Sequence, residues 1–253
     1  MKVITILSLI FCIVFSANVI AQNPQTEKGL KILFIGDSVT DGNWGGSGKS
    51  SERNHWDQNH IFGHGYMYQC AAYYTGNYPE NDYKFYNRGI SGNTLSDLEA
   101  RWQEDVLNIN PDVLSVLIGI NDVSSCINES GSFDFKKWDR KYRNLLDRTL
   151  AQHPDLKLIL CAPFVSETES MKKNGQWEKY DLLTRQCAAV VQKIAADYNA
   201  IYLPFHILFD NLTAKYPEVP ASYWLWDGIH PTAAAHQLMA DMWIREFAQL
   251  VRK

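Results

Sequence analysis

The chain predicts an α/β fold built around a parallel sheet, and three observations carry that reading. Short apolar runs alternate with longer stretches of helical periodicity, the pattern of successive β-α-β units. At 253 residues and 46% hydrophobic composition, the chain is long enough for one large α/β domain. Its polar motifs follow the apolar runs directly, at the carboxyl ends of the expected strands, where open α/β sheets hold their ligands.

Taken in order, residues Met1 to Ala21 differ from everything after them. Lys2 is a minimal positive start, an apolar run extends from Val3 to Phe15, and Val19-x-Ala21 suits signal peptidase. The segment reads as a cleaved export leader. Ser16 and Asn18 interrupt it, so it is short for a spanning helix and predicts no stable membrane insertion after cleavage. Residues 22–30 form a short linker, and one globular domain occupies 31–253.

Within that domain Lys31 to Ile35 reads as the first strand, Tyr83 to Tyr86 as the second, and Val113 to Ile118 as the third. Leu156 to Cys161 is the fourth and Ala200 to Leu203 a short fifth. Helical stretches are expected near Gly65 to Tyr74, Leu95 to Leu107, Lys136 to Gln152 and Tyr180 to Asn199. A last helix is expected from Thr232 to about Val251, with Pro231 suiting its first turn and Leu238, Met242, Phe247 and Val251 facing the sheet. Residues Gly42 to Gly63 are polar, Gly-rich and aromatic, a loop long enough to shape a pocket.

Four motifs carry the chemistry: Gly36-Asp37-Ser38-Val39, Ile90-Ser91-Gly92, Gly119-Ile120-Asn121-Asp122 and Asp227-Gly228-Ile229-His230-Pro231. Ser38 follows the first strand and fits a nucleophile; if the motif stood alone, a cap on the following helix would be the preferred reading. Asp37 is expected to brace the turn through backbone hydrogen bonds. Gly92 can aim a backbone amide at a developing oxyanion, and the Asn121 side chain can donate to the same oxygen; an ordinary turn and an Asx-turn are the plain alternatives. Asp227 and His230, three residues apart, can set a carboxylate against an imidazole and fix its tautomer. The set supplies a nucleophile, a base with its orienting carboxylate and oxyanion donors, which together suffice for acyl transfer. No Gly-x-Ser-x-Gly elbow is present.

With these four blocks in order, the chain resembles the SGNH hydrolases, also called GDSL esterases, over roughly residues 31–250. The resemblance implies Ser38 as nucleophile and first oxyanion donor, Gly92 and Asn121 as the other donors, His230 as base and Asp227 as its partner. It also implies a three-layer α/β/α, flavodoxin-like fold with a five-stranded parallel sheet, and no metal or cofactor. One departure is Val39, where the family name has leucine.

Other features limit the partners. The formal charge of -4 becomes -5 once Lys2 leaves with the leader, which gives no electrostatic footprint for nucleic acid. Cys70, Cys126, Cys161 and Cys187 remain after cleavage; disulfides are permitted, with buried free thiols preferred. His55, His60 and His64 with Asp57 lack a rigid helical pair and read as solvated or substrate-facing loop residues. Trp44, Trp56, Tyr66, Tyr223, Trp224 and Trp226 lie near the motifs in sequence, either as core or as stacking faces for sugar rings, Trp44 and Trp226 being the substrate-binding candidates. Many exported relatives of this kind act on carbohydrate esters, so the expected reaction is removal of acetyl groups from a polysaccharide or oligosaccharide. A lipolytic esterase, lysophospholipase or thioesterase with the same site is the first alternative, and a carbohydrate-binding protein without turnover the second.

Overall fold

In the computed structural model, residues 27–42, 62–173 and 175–252 are described. The expected leader, and Trp44, His55, Trp56, Asp57 and His60 of the long loop, lie outside the described residues.

Five parallel strands form one sheet: β1 (Lys31–Gly36), β2 (Lys84–Gly89), β3 (Val113–Leu117), β4 (Lys157–Cys161) and β5 (Ile201–Leu203). Their order, β2-β1-β3-β4-β5, is that of the flavodoxin-like sheets, whose ligands lie where connections from β1 and β3 diverge. Alternation along β1 explains its continuous apolar sequence. Ile32 and Phe34 enter one core, Leu33 and Ile35 the other, so neither face of the strand meets water.

Helices α2 (Tyr66–Asn77), α8 (Phe205–Lys215) and α9 (Ala233–Leu250) cover the first face. The second is covered by α3 (Leu95–Trp102), α4 (Ile120–Asn128), α5 (Phe135–Gln152) and α7 (Trp177–Asp197). Two short helices, α1 (Ser38–Asp41) and α6 (Glu169–Lys173), lie in the loops at the strand ends. Two fully buried indoles have their N–H groups satisfied: Trp243 donates to Ser115 Oγ at 3.1 Å, and Trp102 to Thr149 Oγ1 at 2.9 Å. The sheet and its two helical layers are the three-layer α/β fold expected.

Several boundaries differ from the sequence reading, for identifiable reasons. Strand β2 continues through Asn87, Arg88 and Gly89, which look like loop residues; Asn87 and Arg88 are buried but hydrogen-bonded. The helix expected to run from Leu95 to Leu107 changes at Gln103 to a π turn through Leu107. That turn contains Asp105, which is fully buried and paired with Arg88 and Arg101. Pro231 is not in the last helix: it forms an antiparallel bridge with Leu225, and α9 starts at Ala233. The inward stripe of α9 centres on Met239 and Trp243, with Leu238 and Met242 half-buried beside it. Cys70, Cys126, Cys161 and Cys187 are all free thiols, only Cys126 being partly exposed. Among the described residues, no helix is long and apolar enough to cross a membrane.

Candidate active site

Ser38 begins α1 immediately beyond the end of β1. The cap of this helix is Asp37, whose Oδ1 accepts the Val39 N–H at 3.0 Å. With that duty taken by its neighbour, the Ser38 hydroxyl is left for another partner. It lies 2.8 Å from His230 Nε2 across 192 residues of sequence. Asp37 itself is buried; burial pushes its carboxyl up to about 7, against the Val39 hydrogen bond and the nearby His230 charge.

His230 and Asp227 lie on a loop tied off by the bridge between Leu225 and Pro231. Asp227 Oδ2 is 2.6 Å from His230 Nδ1, while Oδ1 accepts the amides of Ile229 at 2.9 Å and His230 at 2.8 Å. The hydrogen bond that His230 donates to Asp227 raises the His230 pKa above its ordinary value, outweighing the burial that lowers it; the Asp227 and Asp37 charges act in the same direction. Burial pushes the Asp227 carboxyl up, but the hydrogen bonds from the His230 ring and the two amides outweigh it and hold it below the usual carboxylate value. Asp227 is therefore an ionised acceptor at neutral pH. It fixes the imidazole with its proton on Nδ1 and its lone pair on Nε2, toward Ser38.

The second motif is built onto the first. Asn87 Nδ2 donates to the carbonyls of Thr40 at 3.0 Å and Phe62 at 3.0 Å, pinning the C-terminal end of α1 to β2. Gly89 permits this approach: a Cβ there would lie 2.2 Å from the Asp41 nitrogen. Buried Asp41 then accepts from the Ser91 amide at 3.3 Å and from its hydroxyl at 2.7 Å. This holds the turn that carries Gly92, whose φ of 83° favours glycine. Arg101 reaches the same turn, donating to Asn93 Oδ1 at 2.8 Å and to the Arg88 carbonyl at 2.8 Å.

Asn121 lies in the first turn of α4 rather than in a loop, and its Nδ2 donates to the Asn93 carbonyl at 3.1 Å. One N–H of the side-chain amide is thereby fixed against the loop of Gly92, leaving the second as a donor. Asp122 beside it accepts from the Leu95 amide at 3.1 Å and from Trp138 Nε1 at 3.1 Å. Burial pushes its carboxyl up to about 6. Asp122 thus ties the third motif to the helix that follows the second.

A cavity of about 460 Å³ opens over Ser38 and His230 and is also lined by Ser91, His64, His236 and Trp226. Trp226 is 61% exposed and stacks on His230, with ring centroids 5.6 Å apart and planes at 20°. Tyr66 and Trp224 are core residues instead, and Tyr223 is exposed. Of the loop histidines, His64 reaches the cavity; among the described residues no group of three or more His, Cys, Asp or Glu could hold a metal. Asp41, Asn87, Arg101 and His236 escaped the sequence reading because each acts on a residue distant in the chain. Only His236, six positions after His230, carried a local hint.

Known proteins resemble this chain over most of its length. The model of the GDSL-like lipase/acylhydrolase family matches residues 34–238. An acetylxylan esterase of Geobacillus stearothermophilus is 33% identical over 229 residues, covering 87% of this chain and 94% of that protein. A solved variant of an acetyl xylan esterase from the same organism superposes with a TM-score of 0.72 at 30% identity, covering 87% of this chain and 95% of that one. Other solved variants of that esterase, described as catalytic mutants, replace a serine, an aspartate and a histidine, the last two three positions apart. A multidomain esterase of Ruminococcus flavefaciens is 25% identical over 240 residues, 86% of this chain and 28% of that protein. The chain belongs to the GDSL-like lipase/acylhydrolase family, and it is a carboxylic ester hydrolase.

Proposed function

We propose that the chain is an exported serine esterase that removes O-acetyl groups from a polysaccharide or its oligosaccharides through an acyl-Ser38 intermediate. The observation that carries this reading is the unbroken hydrogen-bonded run from Asp227 through His230 to Ser38, open to a cavity. As Ser38 Oγ attacks the acetyl carbonyl, His230 Nε2 takes its proton. The resulting oxyanion is received by the Ser38 and Gly92 amides and the Asn121 side chain. Collapse expels the sugar oxygen, which recovers the proton from Nε2. Water then delivers a proton to Nε2 as it attacks the acyl-serine, and acetate leaves as Ser38 is reprotonated.

The acetyl-carbohydrate substrate is supported by the acetylxylan esterase among the relatives and by the exposed Trp226 face beside the imidazole, which suits a sugar ring. Export is supported by the apolar leader at residues 1–21; a mature protein beginning at Gln22 outside the cytoplasm would bear it out, and an uncleaved cytoplasmic product would count against it.

The test is acetate release from acetylated xylans, pectins and mannans, run beside nitrophenyl esters of rising chain length. Acetyl esters are expected to turn over much faster than octanoyl esters, as the acetyl-carbohydrate reading requires of a site fitted to a short acyl group. Ser38→Ala is expected to retain the fold while activity falls by several powers of ten. A preference for octanoyl esters would replace the carbohydrate reading with the lipolytic one. A folded Ser38→Ala protein of near wild-type activity would remove the nucleophile.

A further inference from the structure

Helix α2 begins at Tyr66 with Gly65 as its cap, and glycine has no side chain to receive the first amides of a helix. The acceptor comes instead from α9. His236 Nδ1 receives the Tyr66 N–H at 3.0 Å, 170 residues away, with the imidazole parallel to the Tyr66 ring at 7°. A ring nitrogen that accepts a backbone proton carries none of its own, so the proton of neutral His236 resides on Nε2. Burial, followed by the charge of His230, pushes the His236 imidazole down to about 4, so this neutral form persists through the neutral range.

The same side chain lines the cavity over Ser38 and His230. Its Nδ1 is committed to α2, and Nε2 has no hydrogen-bond partner among the described residues. The ring also lies close against the cap residue: a Cβ on Gly65 would come within 3.1 Å of Cε1, between the two nitrogens. A fixed N–H thus remains at the wall of the site, able to donate but unable to accept.

We propose that His236 is a specificity-determining residue, its Nε2–H donating to an oxygen acceptor of the alcohol half of the substrate, such as a hydroxyl or ring oxygen of the acetylated sugar. The inference rests on the carbohydrate reading above. It assigns the cap a second task, because the bond that closes α2 also selects the tautomer that presents a donor to the ligand. An ester whose alcohol half has no oxygen beyond the ester itself gains nothing from that donor, so His236 separates sugar esters from simple ones.

The test separates the two nitrogens. His236→Asn keeps an acceptor near Nδ1 and lacks the distal donor; His236→Gln places an amide donor near Nε2 and gives up the cap. For each variant, kcat/KM is measured with a mono-acetylated methyl xyloside and with phenyl acetate, and thermal stability is recorded in parallel. His236→Asn is expected to lower the xyloside-to-phenyl acetate ratio by roughly three- to tenfold, the worth of one neutral hydrogen bond. His236→Gln is expected to melt at lower temperature while keeping more of that ratio. Two variants that both lose stability and both keep the wild-type ratio would reduce His236 to a helix cap and overturn the proposal. Wild-type enzyme that cleaves phenyl acetate but releases no acetate from any acetylated sugar would instead overturn the carbohydrate reading, a result visible before any variant is made.

Discussion

In the proposed mechanism His230 must be neutral to accept the Ser38 proton, so activity is expected to rise with pH as the imidazole deprotonates. The Asp227 hydrogen bond raises that pKa, and the rising limb of kcat/KM is therefore expected above 6.5, the ordinary value for histidine. Asp227→Asn removes both the charge and the acceptor that fixes the tautomer. Titrating kcat/KM for this variant should show the limb displaced to lower pH, with kcat down by roughly a hundredfold or more. A limb that stayed in place would mean that another group governs the profile. Asn121→Ala tests a different bond. Its amide would act chiefly on the oxyanion, so kcat is expected to drop by roughly a hundredfold with KM little changed. Unchanged kcat would leave Asn121 only its hydrogen bond to the Asn93 carbonyl as a role.

The elements show why so much of the site was readable and where that ended. Five apolar runs gave five strands, because a strand buried on both faces needs nearly every residue apolar. The end of β2 broke that rule. Asn87 and Arg88 are polar and buried, which is affordable only with partners on other elements, and those partners are invisible in a local window. Helix α4 repeats Ile120, Val123 and Ile127 at helical spacing, yet it opens within a motif that reads as a turn. The π turn after α3 likewise depends on Asp105 meeting Arg88 and Arg101, not on any periodicity of its own. Gly89 offers the sharpest test at this scale. Gly89→Ala sets a methyl group against the backbone of α1, so we expect a loss of about 1–3 kcal/mol in thermal unfolding. Activity should fall further than stability at assay temperature explains, because α1 carries Ser38; full activity in the variant would show that α1 shifts without cost.

At the scale of the molecule, the motifs of the site were legible as types of residue, and the sheet order decides how they meet. Ser38, Gly92 and Asn121 follow β1, β2 and β3, three adjacent strands whose ends are level: Gly36 is opposite Gly89 on one side and Leu117 on the other. No periodicity in the sequence reveals that adjacency, and the resemblance to a known family provided it. Asp227 and His230 come from outside the sheet, and their approach to Ser38 was implied by their chemistry together with the same resemblance.

That 192-residue separation between Ser38 and His230 also makes the esterase a clock for its own folding. The proposed nucleophile lies near the start of the domain and its proposed base near the end, so a growing chain is expected to be inert until almost all of it has been synthesised and the loop before α9 has docked. Closing such a distant pair is among the slow events of a fold rich in long-range pairings. Regain of esterase activity after dilution from urea should therefore coincide with the slowest phase seen by tryptophan fluorescence. Activity returning ahead of that phase would show that the two halves of the site find each other before the fold around them is complete.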